Sequence, residues 1–216
     1  MLSAYQFLTS NWSSFTEAFG QHLSLVAYSL AISLALGLPL GLWSARSPLV
    51  GAVVINICNS LRVVPSIAVL FLAIPYLGLG SRSAIMALTF LALPPVIVNT
   101  DVGFRTINPA TRENAYAMGM SDRQVLQKIE IPLALPIVMA GIKTATTEVI
   151  ASATLAAFVG AGGLGKFIVL GFAMYDNSIM LIGAIPVAIM ALLSELTLGF
   201  WQNQLTAPPP IKLTSD

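Results

Sequence analysis

Three groups of residues have types and spacings that could do chemistry. The first is GAGGLGKF, from Gly160 to Phe167. It matches G-x-G-x-x-G and differs at its last position from the phosphate-loop pattern G-x-x-x-x-G-K-[ST]. Both motifs work by setting backbone amides between a strand and a helix, and the phosphate loop adds a hydroxyl that holds magnesium. Phe167 supplies no hydroxyl, and an apolar run precedes the glycines, so nucleotide binding is not expected here. A tight, backbone-dense re-entry between two apolar segments, followed by a short segment over 166–174, accounts for the stretch.

The second group centres on Glu148, about midway along an apolar segment, with Thr144 and Ser152 four residues to either side. On a helix the three form one polar stripe. An unpaired carboxylate at membrane depth is costly and marks a transport path by default; a negative site suits a quaternary ammonium cation. The alternative is a structural ion pair, with Arg62 or with Lys143 of a neighbouring chain. Arg62 itself either faces a water-filled interior or partner helix, or snorkels from a shallow position to the headgroups. Asn99 and Thr100, beside Pro94 and Pro95, are weaker path candidates, because polar groups there can simply cap freed carbonyls.

The third group is ENAYAMGMSDRQVLQKIEIP, from Glu113 to Pro132, which with Arg112 gathers Glu113, Asp122, Arg123, Lys128 and Glu130 in a chain where only 9% of residues are charged. Its chemistry is recognition. Asn108 followed by Pro109 starts a helix, Gly119 stops it, Ser121 and Gln124 form a capping box, and Pro132 ends the second short helix. Two amphipathic helices joined at a glycine could rest on headgroups, but a lipid-seeking helix is strongly basic on its polar face. Alternating acid and base suits a protein partner instead.

The elements that position these groups follow from composition. The chain has 216 residues, 56% of them apolar, and a mean hydropathy of +0.85, far from the balance of a soluble domain. An all-α polytopic membrane protein is expected. Apolar runs at 23–45, 49–79, 83–104, 133–159 and 178–201 give about five spans, each long enough for a core about 30 Å thick. The second run, broken by Arg62, Pro65 and Pro75, reads as one long or kinked span; Pro39 and the Pro94-Pro95 pair should bend theirs. Residues 1–22 form an external or interfacial segment without a cleaved signal, 23–202 a single membrane domain with the charged loop at 108–132, and 203–216 a mobile tail with three successive prolines. Arg46, Arg105, Arg112, Arg123, Lys128 and Lys212 fall on one side and Arg82 and Lys166 on the other, so the loop and C-terminus are placed in the cytoplasm and the N-terminus outside.

The basic residues are scattered, which argues against nucleic acid. Cys58 and His22 stand alone, so no metal site, redox pair or clustered nucleophile is expected.

The spacing of Glu113, Ala115, Gly119, Ile129 and Pro132 resembles the cytoplasmic loop signature of permease subunits of ATP-binding-cassette importers, E-A-A, three residues, G, nine residues, I, one residue, L-P. Asn114 and Ile131 depart from it without changing the helix-Gly-helix shape. The likeness implies that the loop docks in a groove of a cytoplasmic ATPase, with Glu113 for docking, Ala115 for close approach and Gly119 for the turn. It implies further that ATP and magnesium are bound by that ATPase, that this chain binds no cofactor and performs no catalysis, and that a second permease copy or paralogue and an external substrate-binding protein complete the machine in a prokaryotic inner membrane. ATLAAFVGAGGLG, NSLRVVPSIAVL and LPPVIVNT together resemble the permeases for glycine betaine, choline and carnitine, although methionine and phosphonate importers share the glycine-rich segment. An ion-coupled carrier built on Glu148 and Arg62 is the rival from another class, disfavoured by five spans without an internal repeat; a membrane enzyme or a channel is a further alternative.

Overall fold

A chain with too little charge to cover a water-facing surface must satisfy its backbone inside helices. In the computed structural model, which describes residues 2–206, this is the outcome: helices follow one another with no strand among the described residues. They are α1 (Leu2–Ser10), α2 (Trp12–Arg46), α3 (Pro48–Val63), α4 (Ser66–Leu77), α5 (Ser81–Arg105), α6 (Pro109–Ala117), α7 (Asp122–Val125), α8 (Ile131–Ser152), α9 (Gly165–Ala173) and α10 (Asn177–Thr206). A π-turn, Leu126–Glu130, joins α7 to α8, and a 3₁₀ segment, Ala153–Val159, follows α8. Among the described residues four stretches are long and apolar enough to cross a membrane: α2, α5, Asp122–Val159 and α10. With α3 and α4 counted as one broken span, bent by 101°, there are five.

The break falls at Val64 and Pro65, where the chain is extended; Arg62 and Pro75, also expected to interrupt this run, lie inside α3 and α4. Other prolines do not interrupt their helices. α2 runs unbroken through Pro39 and α5 through both Pro94 and Pro95. In a packed membrane helix the lost hydrogen bonds are absorbed by neighbours, so proline does not by itself end the helix. Pro132 likewise fails to end the second loop helix. Just before it, the Ile131 amide bonds back to the Leu126 carbonyl, five residues away, and this wide turn leaves room for the proline ring. α2 also starts at Trp12, well before the apolar run at Leu23. At the other end α10 continues to Thr206, so helix covers the first residues of the expected tail; positions 207–216 lie outside the described residues.

The core is built by close approach of α2, α5 and α8, and small residues permit it. α2 and α5 run parallel: Gly37 lies under Val96, Gly41 under Thr100, and the Ser44 hydroxyl donates to Asp101 at 2.7 Å. α8 runs the other way across α5, and Leu25, Leu88, Val96 and Val149 fill the space between them. α10 lies against α8, tied by Lys143 Nζ to Glu195 Oε1 at 2.9 Å and by the Gln202 amide to the Pro136 carbonyl at 3.2 Å. Gly141 marks the tightest α5–α8 crossing: a Cβ there would sit 2.5 Å from Asn99 Cβ and 2.6 Å from the Pro95 carbonyl oxygen. Gly141→Ala is therefore expected to cost about 1–3 kcal/mol through overpacking, read as a lower Tm in detergent. Gly199→Ala, where the added carbon meets open space, should leave Tm unchanged.

Candidate functional site

The charged loop folds as its local signals dictate. The Asn108 side chain accepts from the Ala110 amide at 3.0 Å and Pro109 occupies the first helical position of α6. At the other end Gly119 is left-handed, with φ of +79°. Its amide donates to the Tyr116 carbonyl at 2.9 Å and that of Met120 to the Ala115 carbonyl at 3.2 Å, the paired bonds of a Schellman stop. Ser121 and Gln124 then form the capping box of α7, with the Ser121 amide donating to Gln124 Oε1 at 2.9 Å. Across the glycine, Asp122 holds the Tyr116 phenol above its ordinary range. Glu113 and Pro132 are exposed, Ile129 is half-buried, and Ala115 is buried.

The loop is fastened to the bundle by charge. Glu130, buried at the end of the π-turn, accepts from Arg46 Nη2 at 2.7 Å and from Arg112 Nε at 2.6 Å. Arg112 Nη2 also donates to the Phe104 carbonyl at 2.8 Å. One carboxylate thus joins the end of α2, the start of α6 and the root of α8. Beside it Asp101 takes two bonds from Arg105, at 2.6 and 3.0 Å, and Arg105 Nη2 reaches the Ser44 carbonyl at 3.0 Å. In the sequence these side chains were only charges to be counted. Arg46 and Glu130 lie 84 positions apart, and no local pattern signals that pairing.

The polar groups within the spans separate into two sets. Glu148, Ser152 and Arg62 line one cavity of about 460 Å³, beside the α3–α4 break, with Ser66, Phe90 and Pro94. Glu148 lies four residues before the end of α8, within the span that the 3₁₀ segment continues to Val159. Thr144 does not line the cavity and bonds the Ala140 carbonyl at 3.0 Å. Asn99 and Thr100 also lie elsewhere, donating to the Pro95 and Val96 carbonyls at 2.8 and 2.7 Å while packing against Gly141 and Gly41. These carbonyls are one turn back from the donors and are not those freed by the prolines. Lys143 pairs with Glu195 of its own chain, which leaves the proposed Lys143–Glu148 pairing without its cation.

The sequence pattern of the binding-protein-dependent transport system inner membrane component matches residues 37–206. The chain belongs to this family. It is a permease, a transport component and not an enzyme. The carnitine transport permease protein OpuCB of Listeria monocytogenes is 41% identical over 186 residues, covering 86% of this chain and 85% of that protein. The glycine betaine/carnitine/choline transport system permease protein OpuCB of Bacillus subtilis is 35% identical over 200 residues, 93% and 92% of the two chains. Among solved structures, an inward-facing conformation of the MetNI methionine ABC transporter superposes with a TM-score of 0.80 at 22% identity, over 92% of this chain and 99% of that one; it is a likeness of fold. Permeases of such importers work with ATPase subunits and substrate-binding proteins.

In this permease the glycine-rich stretch is a structural turn. A 3₁₀ segment precedes it, not a strand. The Gly163 amide is already taken by Gln21 Oε1 at 3.0 Å, and a side chain on Gly165 would run into the Thr154 carbonyl. No group of His, Cys, Asp and Glu that could hold a metal occurs among the described residues. His22, expected ahead of the first span, is fully buried inside α2 with Nε2 3.2 Å from the Ile150 carbonyl, because α2 begins earlier than its apolar run.

Proposed function

We propose that this permease carries an osmoprotectant of the glycine betaine, carnitine or choline type, and that the Arg62–Glu148 cavity lies on its path. The observation that carries the substrate reading is likeness along nearly the whole chain to permeases named for those compounds. Glu113, Ile129 and Pro132 present the docking surface for the ATPase, with Gly119 setting the turn and the buried Ala115 permitting close approach beneath it; the ATPase holds ATP and magnesium, and this chain binds neither. A second permease, identical or paralogous, and an external binding protein complete the assembly. The basic residues of the loop put it and residues 203–216 in the cytoplasm and residues 1–22 outside, around a membrane domain over 23–202.

The test is uptake into proteoliposomes holding the permease with its ATPase and binding protein. ATP-dependent accumulation of labelled glycine betaine, carnitine or choline is expected. Accumulation of methionine or a phosphonate alone would transfer the chain to that substrate class, and uptake driven by an ion gradient without ATP would remove it from ATP-driven import. Glu148→Gln is expected to lower uptake about tenfold, the loss of one charge-assisted contact, with co-purification of the ATPase unchanged. Wild-type uptake in that variant would take Glu148 off the path.

A further inference from the structure

Arg62 and Glu148 stand on different helices, α3 and α8, and line one cavity. The described ion pairs engage Arg46, Arg105, Arg112 and Lys143 with Asp101, Glu130 and Glu195. Arg62 and Glu148 belong to none of them: no opposite charge comes within ion-pair distance of either among the described residues. Two opposite charges that share a cavity without closing on each other are an uncommon arrangement at membrane depth, where ionisable groups pair or face a functional path. The volume, about 460 Å³, is that of a small-molecule site.

From this we propose that the cavity is a dipolar site selective for a zwitterion, with Glu148 taking the cationic ammonium end and Arg62 the carboxylate of one ligand. The proposal rests on the osmoprotectant reading above and narrows it. A purely cationic ligand at Glu148 would bring its charge into the field of Arg62, and a purely anionic one at Arg62 would meet Glu148; each like charge acts as a discriminating repulsion. A ligand carrying both charges satisfies both walls and leaves the loaded cavity neutral. Phe90 adds an aromatic face suited to an ammonium group, and Ser66 and Ser152 add hydroxyls. The bent span matters here as well, because extended backbone at Val64 and Pro65 is tolerated at membrane depth where it lines a cavity. Arg62, placed by its guanidinium fork to hold a carboxylate, is thus a specificity-determining residue that distinguishes carboxylate-bearing betaines from choline.

The experiment measures ATP-dependent uptake of glycine betaine and of choline by the whole transporter in proteoliposomes, with an unaltered binding protein, so that any change in their ratio belongs to the permease. Wild type is expected to accumulate glycine betaine. Arg62→Gln should lower that uptake about tenfold or more and leave any choline uptake equal or higher, while Arg62→Lys, which keeps the charge, retains an intermediate rate. Glu148→Gln should lower uptake of both. The double variant Arg62→Gln/Glu148→Gln should transport glycine betaine more slowly than either single variant. The proposal is overturned if Arg62→Gln lowers both substrates equally, if wild type takes up choline and not glycine betaine, or if the double variant recovers above the singles. Recovery is the mark of a water-bridged structural pair, because neutralising both partners removes the charge that each single change leaves without its opposite. Failure of the underlying reading looks different: wild type would accumulate none of glycine betaine, carnitine and choline. Where wild type carries glycine betaine but no choline, the order of the double and single variants decides.

Discussion

Gly119→Val is expected to insert and assemble normally and to lose ATP-coupled uptake. The reason is conformational. Gly119 holds φ at +79°, and a Cβ built there meets nothing within 4 Å, so no neighbour forbids a side chain; the backbone does. For an L-residue the left-handed region costs about 1–2 kcal/mol, and a β-branched residue is the least tolerant of it. Valine escapes by moving to an ordinary φ, which breaks the bonds from the Gly119 and Met120 amides to Tyr116 and Ala115 and turns α6 relative to α7. The exposed Glu113 on α6 then presents at a different angle from the half-buried Ile129 below the turn. None of this touches the packed crossings of α2, α5 and α8, so Tm in detergent should stay near that of wild type. ATP hydrolysis should continue without accumulation of substrate. Gly119→Asn, which tolerates the left-handed region, should retain most of the uptake. Normal coupled transport by the valine variant would count against the loop's role in coupling.

The parts of this protein that were legible in the sequence are those whose cause is local. Asn108-Pro109, Gly119 and the Ser121–Gln124 box each act within a few residues, and each forms as its chemistry requires. The spans were legible because apolar length is itself the requirement for crossing a membrane. Proline was the ambiguous sign. It shows that an amide is missing, but whether the helix breaks depends on what surrounds it: at Pro65 the chain opens, while at Pro39, Pro94, Pro95 and Pro132 it does not. The start of α2 was hidden for a related reason. Residues 12–22 are too polar to read as membrane helix, yet Phe15 packs on Phe167 and Gln21 caps the Gly163 amide, partners far along the chain. The path candidates divided similarly. Thr144, Glu148 and Ser152 share a helical stripe by spacing alone, but which of them meets Arg62 is decided by where α3 breaks, and the first of the three does not.

Glu130→Ala is expected to be the most damaging single change at the loop, and for a different reason from the glycine. Its carboxylate is 7% exposed and accepts from two arginines, one 32% and the other 53% exposed. Removing one partner of a buried ion pair leaves an uncompensated charge, at about 3–5 kcal/mol. The half-exposed Arg46 can turn to water, so about 3 kcal/mol is the figure expected, carried mostly by Arg112. A lower Tm in detergent would record it, and an unchanged Tm would contradict it. Stability and coupling can then be separated. Replacing Arg46, Arg112 and Glu130 together by methionine exchanges the ionic cluster for an apolar one, a change that is often neutral or stabilising, so Tm should return close to wild type. Uptake should not return with it. Glu130 closes the π-turn at the root of α8, Arg112 lies in the first turn of α6, and Arg46 ends α2, so if the loop couples to the ATPase as proposed, the cluster is the joint through which its displacement would reach two membrane helices at once. A methionine joint holds the same volume without fixed directions, and loop movement would be lost in side-chain rearrangement. Full uptake in the triple variant would show that packing alone transmits the movement.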